Sequence, residues 1–166
     1  RVLFRSGVSA EDAAIDLLIE DNSRVSSVFG MMSEENVKRQ IALPWMSFCS
    51  DSATYTNEGV FLESMTHPRA YGSFARLLAK YVRDEEVIPL EEAIRRLTSF
   101  PAANLNIRER GSLKEDYFAD VVVFDPDRIQ DHATFAKPHQ YATGVLHVFV
   151  NGEQRSEEHT SELQSQ

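Results

Sequence analysis

The sequence predicts an α/β fold on three observations. Helical stripes alternate with short apolar runs as far as Asn106, and such alternation implies a parallel sheet with helical crossovers. Past Asn106 the pattern turns to strand-forming runs broken by turn signals. Within the first part, the apolar run Trp45–Cys49 stops abruptly at Ser50-Asp51, and a long polar loop leads to His67-Pro68-Arg69, where a new helix opens.

The elements follow in order. Ser9 caps a helix whose first turn holds Glu11 and Asp12, where carboxylates suit the positive end of the dipole. Ala13, Ala14, Leu17 and Leu18 make its apolar stripe, widened by Ile15 and Ile19, and it stops near Asp21-Asn22. Val25–Met31, rich in β-branched and aromatic residues, reads as a strand. Ser33 starts a second helix, with Glu34 and Glu35 first and Lys38 and Arg39 last, and Pro44 ends it. The length and content of Trp45–Cys49 suit a buried strand.

The loop Ser52–Thr66 is long for a compact domain, as lids, binding loops and disordered segments are. Tyr55, Phe61, Leu62 and Met65 make it more than a solvating linker. Pro68 fits the first turn of the next helix, where a missing N–H costs nothing. Tyr71, Phe74, Ala75, Leu78 and Val82 recur at helical spacing and read as core. Pro89–Leu97 is a further helix, whose Glu91–Arg95 and Glu92–Arg96 pairs read as a solvated face. Pro101 restarts a short helical turn. Gly111–Leu113 is a brief strand or turn, Ala119–Asp125 a strong strand closed by an Asp125-Pro126-Asp127 turn, and Val145–Val150 another strand. Asn151-Gly152 then signals a tight type I′ hairpin.

Composition narrows the function classes. The 166 residues are 42% hydrophobic and 26% charged, a globular profile. A formal net charge of -9 argues against a sequence-independent nucleic-acid binder, which needs a basic face. No run approaches the ~18 apolar residues of a membrane-spanning helix, so no membrane partner is expected. Cys49 is the one cysteine, which leaves no intrachain disulfide and no cysteine metal cluster; a reducing, cytoplasmic setting is the default.

Both ends look foreign. Arg1–Ser6 matches what a common sequencing adapter encodes in one frame, and Arg155–Ser165 matches the same adapter in the opposite sense. Residues 1–6 and 155–166 are therefore read as adapter scars, to be set aside. A helix drawn through the C-terminal scar would lack support from packing. The scar would also replace the partner strand of the hairpin and leave Val145–Val150 an unpaired or mispaired edge.

Asp51 and Arg69 are the two candidate functional groups. A carboxylate where a buried strand ends, with an arginine at the next helix start, is a common way to build a site in α/β enzymes, and strand ends line the catalytic face of parallel barrels. The competing readings are a helix or turn cap for Asp51 and a solvated surface charge for Arg69. Cys49, on its apolar run, reads as packing, and His67, His132, His139 and His147 lack ligand spacing and read as structural.

Several blocks carry a family likeness: Ser50-Asp51, HPRAYGSF (67–74), ADVVVFDP (119–126), DHATF (131–135), PHQY (138–141) and VFVNG (148–152). Through them the chain resembles the N-acyl-D-amino-acid deacylases (D-aminoacylases) of the amidohydrolase superfamily, over nearly all of Gly7 to Gln154. The resemblance implies the C-terminal part of a (β/α)8 metal-dependent hydrolase barrel followed by strands of a small β-sandwich. Residues 7–108 would be the last βα units, and 109–154 a truncated sandwich part. Asp51 falls on the family's last-strand aspartate, which takes a proton from metal-bound water and passes it to the leaving amine; in this branch it can also ligate a second, weakly held metal. Arg69 falls on the arginine that grips the D-amino-acid carboxylate, a task that suits the planar guanidinium fork. Zinc is the implied cofactor, since it lowers the pKa of bound water to about 7; the main ligands would lie upstream. Lys114-Glu115-Asp116 and Cys49 depart from the family pattern, which favours a glycine before the Ala-Asp strand and a small residue before Ser-Asp.

The expected activity of the parent protein is hydrolysis of the amide bond of N-acyl-D-amino acids to a carboxylate and a D-amino acid, with the fragment itself inactive. The expected partner is that small-molecule substrate, and the oligomeric state stays open. The alternatives are a cyclic-amide hydrolase of the dihydropyrimidinase or dihydroorotase type, and a non-catalytic barrel used as a binding module.

Overall fold

A computed structural model describes residues 7–157, apart from 23–24, 26–29, 54 and 64. Two compact units divide the chain, Arg1–Met31 and Met32–Gln166.

The first unit holds α1 (Ala10–Asp21). The Ser9 hydroxyl accepts the Asp12 N–H at 3.1 Å, and Asn22 closes the helix in the left-handed conformation, donating its N–H to the Ile19 carbonyl. Both ends match the sequence reading. The stripe does not, because of its residues only Ala13 is buried, while Ile15, Leu18 and Ile19 are exposed. The expected strand Val25–Met31 lies largely outside the described residues, as does the N-terminal scar.

The second unit begins with α2 (Glu34–Ile41), capped by the Ser33 hydroxyl on the Asn36 N–H. A short 3₁₀ turn, Gly59–Glu63, lies in the long loop. Next, α3 (Arg69–Arg76) runs on without a break into a π-helix, Leu77–Asp84. The π winding, in which bonds run i→i+5, is seen where Glu85 N–H reaches the Lys80 carbonyl at 2.9 Å. The wider turn changes which side chains face inward, so Leu77, Ala79 and Tyr81 are buried beside Ala75 and Leu78. Then come α4 (Leu90–Leu97) and α5 (Ser99–Asn104). The core gathers Ile41, Leu78, Tyr81, Ile88, Ala93 and Ile129.

Arg96 corrects the solvated-face expectation for α4. It is 0% exposed and donates to the Ile41 and Leu43 carbonyls, both at 2.6 Å, so it ties α4 to the negative end of α2. Its Nε faces Glu92 Oε1 at 3.2 Å without the alignment of a hydrogen bond. Arg95 turns to Glu92 in place of Glu91.

Trp45–Cys49 also needs correction. It forms no strand, Trp45 is 68% exposed and Cys49 is exposed. No parallel pair occurs among the described residues; the one sheet is antiparallel, in the order β1 (Val121–Phe124), β2 (Val145–Val150), β3 (Glu153–Glu157). A parallel neighbour must come from a crossover of a dozen or more residues, whereas a hairpin supplies its own partner. β2 is consequently no edge. Val122 pairs with Val148 on one side and Val150 with Glu153 on the other. Asn151 (φ 55) and Gly152 (φ 80) take the positive φ values of a type I′ turn. The ladder uses backbone groups, so β3 forms through Arg155, inside the expected scar, and no helix stands at Arg155–Glu157; residues 158–166 lie outside the described ones. Among the described residues no helix is long and apolar enough to cross a membrane.

Candidate active site

The HPRAYGSF block builds the start of α3. His67 Nδ1 accepts the Arg69 N–H at 3.0 Å, and Pro68, with helical φ and ψ, leads straight into the helix. Partial burial lowers the His67 pKa below 6.5, and the neighbouring Arg69 charge adds to this. The imidazole is thus kept unprotonated, as an accepting Nδ1 requires. Arg69 is thereby fixed at the first turn.

Asp51 sits on the other side of the loop, in the left-handed region at φ 47, which aspartate tolerates better than most residues. Its Oδ2 lies 3.1 Å from Arg69 Nη1, with the side chains 82% and 45% exposed. The structure therefore brings together the two groups that the sequence singled out. An exposed pair of this kind is worth about 0–1 kcal/mol, so stability alone gives it little to do.

Arg69 also lines a cleft of about 330 Å³ walled by His67, Arg76, Asp131, Thr134 and Phe135. Here the HPRAYGSF and DHATF blocks meet. The His67 and Phe135 rings pack edge to face at 4.9 Å, and Arg76 pairs with Asp131 at 3.1 Å. Gly72 permits the approach, since a Cβ there would lie 3.0 Å from Asp131 Cβ. The sequence did not mark Gly72, Arg76 or Asp131 individually; Gly72 and Asp131 carried the signal of membership in the two blocks, and Arg76, just past the first, carried none.

The other histidines stand apart. His132 Nε2 lies 2.9 Å from Thr143 Oγ1, His147 lies in β2 near Gln154, and His139 packs edge-on to Tyr71 at 5.9 Å. Among the described residues no three His, Cys, Asp or Glu side chains gather to hold a metal ion.

A family model described as "Amidohydrolase family" matches residues 23–155. The D-aminoacylase of Alcaligenes xylosoxydans xylosoxydans is 38% identical over 126 residues, 76% of this chain and 25% of that protein. A solved D-aminoacylase, described with a binuclear metal centre, superposes with a TM-score of 0.80 at 33% identity, covering 95% of this chain and 31% of that one. The N-acyl-D-glutamate deacylase of Bordetella bronchiseptica, solved with zinc and a phosphonate mimic of the tetrahedral intermediate, superposes at 0.67 with 36% identity, over 76% of this chain and 26% of that one. This chain spans about a quarter to a third of their length. With the family model matched over most of its residues, the chain belongs to the amidohydrolase family.

Proposed function

We propose that this chain is the C-terminal part of a zinc-dependent N-acyl-D-amino-acid deacylase, which hydrolyses the amide to a carboxylate and a free D-amino acid. Residues 7–108 then supply the last units of a (β/α)8 barrel, and 109–154 strands of a small sandwich. The observation that carries this reading is the meeting of Asp51 with Arg69 beside the cleft. The similarity to D-aminoacylases and to a zinc-bound deacylase supports it.

Within that reading the chain contributes two functions. The Arg69 guanidinium presents a fork of donors that fits the α-carboxylate of the substrate. Asp51, at the loop start, takes a proton from the attacking water and delivers it to the leaving amine, without which the C–N bond does not break. The described residues do not fit a zinc ion by themselves. Asp51 offers one exposed carboxylate, and the other donors would come from outside the described residues.

In the full-length protein, Arg69→Met should raise KM for N-acyl-D-amino acids about a hundredfold, the worth of two charge-assisted hydrogen bonds. Asp51→Asn should cut kcat about a thousandfold, as loss of a general acid does. Steady-state kinetics would decide, and an unchanged KM in the first variant sinks the carboxylate anchor. The 166-residue chain alone should show no deacylase turnover with or without added zinc; measurable turnover by the purified chain would refute that.

A further inference from the structure

Among the described residues no strand pairs beside Asp51. Upstream, Phe48 packs against the core under the Arg96 guanidinium, 4.8 Å away. Downstream, two tyrosines grip the loop. The Tyr71 hydroxyl donates to the Thr56 carbonyl at 2.8 Å, and the Tyr141 hydroxyl oxygen accepts the Asn57 N–H at 3.3 Å. The two rings pack edge to face at 5.7 Å, and His139 closes on Tyr71 from the same PHQY block as Tyr141. Partial burial raises the Tyr71 pKa, with Tyr141 and Tyr55 adding to it, so the hydroxyl keeps its proton and donates at neutral pH. Tyr71 stands two residues after Arg69 on the same helical turn.

We propose that Tyr71 and Tyr141 are positioning residues, which dock the loop bearing Asp51 onto the helix turn bearing Arg69. This rests on the deacylase reading above. The two ends of the site are held differently. Arg69 is fixed by its helix and by the His67 cap, independently of the loop, whereas Asp51 opens the loop and shares its anchorage. Loosening the loop therefore misplaces the proton carrier and leaves the carboxylate anchor in place.

The test uses Tyr71→Phe and Tyr141→Phe in the full-length protein, with Tyr81→Phe as control. Tyr81 lies on the same long helix, and its hydroxyl donates to Glu34, away from the loop. Tyr71→Phe should lower kcat about tenfold, short of the hundredfold that a full 1 Å displacement can cost, and leave KM within about twofold. Tyr141→Phe should do the same more weakly, and Tyr81→Phe should leave both constants unchanged. Amide exchange over Ser52–Asn57 should quicken roughly tenfold in Tyr71→Phe, as expected for a segment that has lost its tether. Wild-type kcat in Tyr71→Phe overturns the proposal, as does an equal loss in Tyr81→Phe. If the wild-type protein turns over no N-acyl-D-amino acid, the deacylase reading fails on its own. Exchange then decides the docking, and an unchanged rate over Ser52–Asn57 overturns it.

Discussion

Val145–Val150 pairs along both edges, while Trp45–Cys49, just as apolar, pairs along neither among the described residues. The difference is where the partner comes from. The strand β2 meets β3 across two residues in a turn that Asn151 and Gly152 adopt without strain, so closing the loop costs little. Trp45–Cys49 has no such neighbour within reach. The sheet is consequently held by a backbone ladder that accepts almost any side chain, even that of Arg155. The region around Asp51 is held by particular side chains: Arg96, Phe48, Tyr71 and Tyr141. Single substitutions should therefore damage the site region far more than the sheet.

Arg96 offers the largest break. Replacing it with methionine keeps the bulk and removes two charge-assisted bonds, so the Ile41 carbonyl loses this donor and the Leu43 carbonyl keeps only the Met46 N–H. That should cost about 3 kcal/mol of stability. Urea unfolding followed by circular dichroism would measure it, and a loss under about 1 kcal/mol would show that water or Glu92 replaces the bonds. Amide protection in β2 should persist at urea concentrations where the helical region has opened. Simultaneous loss would erase the contrast between the two regions.

What could be read from the sequence was local. The Ser9 and Ser33 caps, the Asn22 stop and the Asn151-Gly152 turn each depend on residues within four positions, and each appears where expected. The core helix after Pro68 was legible as a stripe, except that Phe74, read as core, is 49% exposed; its π winding was not, since Tyr71, Phe74, Ala75, Leu78 and Val82 fit the ordinary period. The burial of Arg96 was illegible for another reason. Glu92–Arg96 spacing looks identical on a solvated face, and the carbonyls that need Arg96 lie more than fifty positions earlier. Asp51 and Arg69 were legible as a pair from their places at the two ends of the long loop, and the resemblance supplied their roles. Nothing local announced the Tyr71 and Tyr141 tethers, which join distant segments through backbone groups that every residue shares.

The smallest expected effect concerns the sheet. Asp120 locks the hairpin, because it pairs with Arg110 and accepts the Asn151 N–H, while Arg110 also donates to the Asn151 side chain at 2.7 Å. The Arg110 hydrogen bond, followed by the Asn151 N–H, holds the Asp120 pKa below 3.8. A carboxylate with a depressed folded pKa adds stability that is present above its unfolded value and lost as pH falls through the folded one. The hairpin should thus keep its lock down to about pH 3.8 and lose it below that, and Asp120→Asn should abolish this acid step. Proton titration by NMR would follow it through the Asn151 and Gly152 amide shifts. A midpoint at or above 3.8 would mean that the lock stores no stability, and the hairpin would then stand on its turn and ladder alone.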